Sequence, residues 1–326
     1  MGPTRGETEA KGAPSSNLHC VGIDENGLGA RLGPLVVTAV IARVTTAGAR
    51  AIESWRTRKS QPLLDDSKRL VAHCDVRLAE AWARVLAGSE VTHPAELLEA
   101  VTLLPTKQLK QRCPSNARGQ CWQPGRERFK AGEFLVADVS RALQKLNKLG
   151  ITPIRVLSRL VCTAELNARG ARGENRFLVD LHAMEELIVH LAETVSSPIT
   201  VVCGKVGSMS AYTQHFAHLN SKQPQIGCES PEQSIYQVPS IGELRFIRDA
   251  DATDPLVMLA SLVGKYLREL FVERIGQHFT TELTQLRKPS GYHDPITAQF
   301  AEATEELRAK ASFPQDCFER ARSRGL

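Results

Sequence analysis

The stretch Val21-Gly22-Ile23-Asp24-Glu25-Asn26-Gly27-Leu28-Gly29 decides how this chain reads. A short apolar run, Leu18 to Ile23, ends on two adjacent acids and a Gly-x-Gly turn. Gly33-Pro34-Leu35-Val36-Val37-Thr38-Ala39-Val40-Ile41 then supplies a β-branched strand. Two strands joined through an acidic, glycine-containing turn put Asp24 and Glu25 at a strand edge. Neighbouring residues of a strand point to opposite faces, and a buried carboxylate without a partner is costly, so these acids cannot both serve the core. Gly27 and Gly29 let the backbone come close to a ligand, where its amides can contact a sugar or phosphate. Acids beside such a backbone imply a divalent metal, because carboxylates otherwise repel a phosphodiester. Without the glycines, Asp-Glu is a common turn sequence.

Outward from this turn the chain alternates helical and strand patterns. Helical spacing marks residues 46 to 57 and 73 to 87, with the polar loop Leu64-Asp65-Asp66-Ser67-Lys68-Arg69-Leu70 between them. Gly132 to Leu149 and Asn175 to Val195 read as amphipathic helices, and Pro198 to Cys203 as a buried strand. Glu243 to Ile247 reads as a further strand. Asp254 to Ile275 reads as a long helix whose apolar face is Leu256, Leu259, Leu262, Val263 and Tyr266, opened by Asp254 with Pro255 at its first position. A last helix spans Pro295 to Lys310. Lys107 to Lys130 is basic, with Lys107, Lys110, Arg112, Arg118, Arg126, Arg128 and Lys130 against Glu127 alone. It fits either a loop on nucleic acid with Trp122 free to stack or a solvated insertion between helices.

With 326 residues, 42% hydrophobic and 24% charged, the chain has room for one large α/β domain or one domain and an appendage. No apolar run of 18 or more appears, and Met1 to Asn17 offers nothing to bury, so this tail is expected to be disordered and the protein cytoplasmic, away from membranes. Eight scattered cysteines read as reduced thiols, and Cys113 and Cys121 lack a second Cys/His pair of zinc-site spacing. The net charge of +5 agrees with a nucleic-acid partner without requiring one.

These residues resemble the type 2 ribonucleases H, the ribonuclease HII family. Its first motif, Gly-Ile-Asp-Glu-x-Gly-Arg-Gly followed by a Gly-Pro-Val-Val strand, stands here as Gly22 to Gly29 and then Gly33 to Val37. Its Asp-Ser-Lys motif is Asp66-Ser67-Lys68. The acid preceding its Ala-Ser-Ile-x-Ala-Lys helix is Asp251, ten residues before Ser261 in Ala260-Ser261-Leu262-Val263-Gly264-Lys265, and its Gly-Tyr dipeptide is Gly291-Tyr292. The four motifs occur in the family's order. The resemblance implies an α/β ribonuclease H-like fold with a mixed five-stranded sheet flanked by helices and a helical C-terminal part. It divides the chain into a tail (1–17), a ribonuclease H-like domain (18–280, basic insertion about 105–130) and a helical C-terminal segment (281–326). It also implies an enzyme that cuts the RNA strand of RNA–DNA hybrids or ribonucleotide-containing duplexes, leaving 5′-phosphate and 3′-hydroxyl ends; separately, the protein is expected to be a monomer. Asp24, Glu25 and Asp251 then take three of the family's four metal-binding and catalytic positions, holding two Mg²⁺ or Mn²⁺ ions. Gly27, Leu28, Gly29, Ser67, Lys68, Lys265 and Tyr292 take substrate-binding ones.

Two departures stand out. The family's third acid ends a buried strand, where this chain has Val201-Val202-Cys203-Gly204-Lys205-Val206-Gly207 with no carboxylate and an added lysine charge. Whether Cys203 or Gly204 occupies the acid's place depends on strand register. The missing ligand can come from Asp180, from Asp249 or Asp254, or from the Cys203 thiolate, although Mg²⁺ favours oxygen and Asp254 and Asp180 also read as a helix cap and a solvated helical acid. The family's loop arginine is Leu28, which keeps the backbone contacts to the ribose 2′-hydroxyl and loses a charged phosphate contact. Three functions follow: an active hybrid nuclease, a nucleic-acid-binding relative that has lost turnover, or another nuclease of the same superfold acting on structured DNA.

Overall fold

A computed structural model describes residues 18–55, 63–71, 75–123, 127–280 and 286–321. The N-terminal tail, Cys74 and Arg126 lie outside them. Seven strands form one mixed sheet in the order β3-β2-β1-β4-β7-β6-β5. They are β1 (Leu18–Asn26), β2 (Leu35–Val44), β3 (Ile151–Val161), β4 (Ile199–Gly204), β5 (Gln225–Glu229), β6 (Gln233–Val238) and β7 (Gly242–Ile247). The chain is α/β as the motifs imply, but the sheet has seven strands and not five. β5 and β6 form a hairpin whose second strand pairs antiparallel with β7. This hairpin is polar at most positions and half-exposed, so no apolar run marks it in the sequence.

Between β2 and β3 lie α1 (Thr46–Glu53), α2 (Ser67–Leu70), α3 (Arg77–Ala87), α4 (Pro94–Val101), α5 (Thr106–Gln111), α6 (Arg118–Trp122) and α7 (Glu133–Lys148). Helices α8 (Thr163–Ala171) and α9 (Arg176–Thr194) precede β4, and α10 (Pro255–Thr280) follows β7. The C-terminal part folds as α11 (Pro295–Ala303), α12 (Glu305–Lys310) and α13 (Gln315–Phe318), so the expected helix from Pro295 to Lys310 breaks at Thr304. Among the described residues no helix is long and apolar enough to cross a membrane.

Both faces of the sheet are covered. Val36, Val40 and Ala42 pack towards α10, α3 and α7, whereas Val21, Ile23, Val201 and Cys203 pack towards α9. The α10 helix is not a one-faced amphipathic helix as its sequence suggests. It is buried almost all round, wedged between β1 and the helices α3 and α6. Gly22 permits this: a Cβ there would lie 2.3 Å from the backbone of Leu256 and Val257, so only glycine lets α10 sit on β1.

The basic stretch is neither free to stack on bases nor fully solvated. Trp122 is buried with its ring edge-on to Phe271, at a centroid distance of 5.5 Å. Glu127 is buried in an ion pair with Arg274, accepting from Nε at 2.7 Å and Nη2 at 2.6 Å. The seven described cysteines are free thiols, and the fold gathers Cys113, Cys121, Cys162 and Cys317 around one small apolar cavity.

Candidate active site

β1, β4 and β7 run parallel and end at the same edge of the sheet. In open α/β sheets the crevice beyond such carboxyl ends is where ligands bind. Here a cavity of about 750 Å³ opens there, and Asp24, Glu25, Gly27, Ser67, Lys68, Asp251, Lys265 and Tyr292 all line it. Leu28 and Gly29 do not. The Leu28 side chain turns into the core on the α9 side, and the space around Gly29 is open.

Strand alternation sends Asp24 towards α10 and Glu25 towards α9. The Asp24 carboxyl is pushed up to about 7 by burial and by the charge of Asp251, against the hydrogen bond that Ser261 donates and the charge of Lys68. Burial raises Glu25 well above the carboxylate range, followed by the charges of Asp180 and Asp24. Such displaced carboxyls in a cleft are a mark of functional sites. Asp251 stands in the short turn Ala250–Ala252 that carries β7 into α10, and its Oδ2 accepts from the Lys68 ammonium at 2.8 Å.

The Asp-Ser-Lys motif forms α2, capped by Asp66, whose carboxylate accepts from the Lys68 N–H at 2.8 Å. Ser67 and Ser261 hydroxyls meet at 2.9 Å, tying α2 to α10 beside Asp24. Lys265 donates to the Val71 carbonyl at 3.0 Å, so it braces α2 while lining the cavity. Tyr292 is half-exposed, with the Arg268 guanidinium 4.1 Å from its ring centre.

The strand register settles the missing acid. Cys203 pairs with Ile23 across β1 and β4 and is buried on the α9 side, its thiol driven far up by burial. Gly204 faces the acids: a Cβ built on it would lie 3.7 Å from Asp24 Oδ1 and 3.9 Å from Glu25 Oε2. Asp254 caps α10, accepting from Leu256 N–H at 2.8 Å and Val257 N–H at 3.2 Å, and stands outside the cavity wall. Asp249 lines the cavity from a left-handed backbone conformation. Asp180 is not a solvated acid; it is wholly buried, and its charge bears on Glu25 and Asp24. Lys205 lines the cavity as well, and its ammonium donates to the Ser230 carbonyl at 2.5 Å and the Ser234 hydroxyl at 3.2 Å on the hairpin side.

Three further residues contribute to the site. Ser261 orients Asp24, and Arg268 lies beneath Gly27, where a Cβ would meet its side chain at 2.8 Å. Gly27 has φ +88°, and its carbonyl, with that of Gly33, is held by Arg320 near the C-terminus, at 2.5 and 2.8 Å. Ser261 lay inside a recognised motif, whereas Arg268 and Arg320 carry no sequence signal.

The donor set suits a hard divalent cation: carboxylate oxygens crowd one cavity, and their mutual repulsion is what such an ion relieves. Among the described residues, no group of three or more His, Cys, Asp or Glu side chains is already set to hold an ion.

No protein-family model and no curated protein matches the chain. Solved structures do resemble it. Ribonuclease HII of Archaeoglobus fulgidus, solved with PCNA, is 16% identical with a TM-score of 0.40, covering 95% of this chain and 96% of that one. Bst ribonuclease HIII with Mn²⁺ is 11% identical with a TM-score of 0.44, covering 97% and 72%. Ribonuclease H2 of Pyrococcus horikoshii OT3 is 13% identical with a TM-score of 0.38, covering 92% of each chain. All three are ribonucleases H.

Proposed function

We propose that this protein is a divalent-metal-dependent endonuclease that hydrolyses the RNA strand of RNA–DNA hybrids or ribonucleotide-containing duplexes, leaving 5′-phosphate and 3′-hydroxyl ends. The observation that carries the reading is the meeting of Asp24, Glu25 and Asp251, from distant parts of the chain, in one open cavity. These three acids are the groups that would hold Mg²⁺ or Mn²⁺. Bound there, divalent metal supplies an acidified water and charge compensation at the leaving oxygen.

The remaining roles belong to the chain itself. Ser261 holds the Asp24 carboxylate in place, and Gly27 lets the backbone approach the ribose. Lys68, within α2, and Lys265, which braces α2 from α10, contact phosphates, with Ser67 beside them, and Tyr292 packs on the neighbouring sugar. Leu28 and Gly29 act through the shape of the glycine loop. In this reading residues 18–280 are the ribonuclease H-like domain and 281–326 an appended helical segment, in a cytoplasmic monomer. Asp24→Asn abolishes cleavage of a labelled hybrid in Mg²⁺ or Mn²⁺; absence of cleavage by the folded wild-type protein in both metals refutes the proposal.

Gly204 favours a second reading, a relative that binds hybrids without turnover, because the strand position facing Asp24 and Glu25 has no carboxylate. It requires salt-dependent binding with no product, and cleavage gained in Gly204→Asp.

A further inference from the structure

We infer that Asp180, on α9, supplies the negative charge that the β4 position lacks; the inference rests on reading the cavity as a divalent-cation site. Among the described residues Asp180 is the one carboxylate with buried oxygens and no hydrogen-bond partner on either. Other buried acids here are satisfied. Glu80 accepts from the Lys130 and Ala131 N–H groups, Glu185 from those of Ala217 and Leu219, and Glu127 from Arg274. An uncompensated buried carboxylate is among the costliest groups a fold can keep, and asparagine would fill the same space without the charge.

The charged neighbours of Asp180 are Glu25 and Asp24, anions that it repels. Burial, and then the charge of Asp24, push the Asp180 carboxyl well above the usual carboxylate range, and a cation joining these acids is what would hold it ionised. Gly204 leaves room for one: only Asp24 Oδ1 and Glu25 Oε2 come within 4 Å of a Cβ built on it. Asp180 does not form part of the cavity wall. It is a positioning residue: its charge acts on Glu25 and Asp24 from inside the fold and so strengthens their hold on a cation.

The test is calorimetric titration of the full chain with Mn²⁺ alone, together with thermal melting, for wild type, Asp180→Asn and the double variant Asp180→Asn/Gly204→Asp. Asp180→Asn should weaken Mn²⁺ binding about 10- to 100-fold, the usual loss when a group supporting a metal ligand is removed. Its Tm should stay level or rise, since a buried charge is gone. Gly204→Asp in that background should recover the affinity. Wild-type Mn²⁺ affinity in Asp180→Asn overturns the inference and marks Asp180 as a protonated core acid, and so does a fall in Tm, which assigns the charge to the fold. If the wild-type protein binds no Mn²⁺, the reading of the cavity falls and this inference with it.

Discussion

Gly22→Ala tests how the fold builds the site. An alanine Cβ would sit 2.3 Å from the Leu256 carbonyl carbon and the Val257 nitrogen and 2.6 Å from Leu256 Cβ, whereas ordinary contact begins at 3.4 Å. Relief therefore needs α10 to lift from β1 by about 1 Å, and the obstacle is the backbone of a 26-residue buried helix that no rotamer change can move. Overpacking a core costs about 1–3 kcal/mol, and a rigid obstacle places this case at about 3 kcal/mol. The same lift moves Ser261 and Asp251 away from Asp24. A misplacement of about 1 Å at a reacting centre costs on the order of 100-fold in rate. Urea denaturation reads the first quantity and hybrid cleavage the second. Gly29→Ala is the control: its Cβ would meet nothing within 4 Å, so the change in stability should stay within about 1 kcal/mol. Equal stabilities of Gly22→Ala and wild type would refute the close approach of α10 to β1.

Three further outcomes follow from the same structure. Burial lifts the Asp254 carboxyl from 3.8 to about 6. Between those values the folded protein binds the extra proton, so this group's contribution to stability falls as pH rises from 4 to 6; Asp254→Asn, which keeps a capping side chain, should flatten the unfolding free energy against pH there by on the order of 2–3 kcal/mol, read by urea denaturation. Arg274→Ala strands the buried Glu127 carboxylate and should cost about 3–5 kcal/mol in chemical denaturation, whereas a cost under about 1 kcal/mol would show that this pair does not pin the basic insertion. Lys68→Ala loses an ion pair whose lysine side chain is 76% exposed, so stability should change by less than about 1 kcal/mol. Hybrid binding should weaken, with the salt dependence reduced by about one phosphate contact; an unchanged slope would remove Lys68 from the binding surface.

Much of the architecture is legible locally. The β1 turn, the α9 helix behind its Asn175 cap and the Asp254-Pro255 start of α10 are written in nearest-neighbour chemistry, and the structure places them within a few residues of the sequence reading. The β5–β6 hairpin is not, because its strands are stabilised by pairing with β7 and bury too little apolar surface to mark themselves. Trp122 looked available for stacking because nothing nearby in sequence shows that Phe271 covers it.

The site divides the same way. Sequence alone determined that Asp24 and Glu25 end a strand beside glycines and that Asp251 precedes a long helix, since each depends on residues a few positions apart; Ser67 and Lys68 read as part of a polar loop, and the structure winds them into α2. Only the tertiary structure decided that these segments share a cavity, that Gly204 and not Cys203 faces the acids, that the Lys205 ammonium is tied to the hairpin and that Asp180 is wholly buried. Those outcomes depend on strand register and on which helix covers which face, and one residue of register exchanges every side chain between the two faces of a sheet.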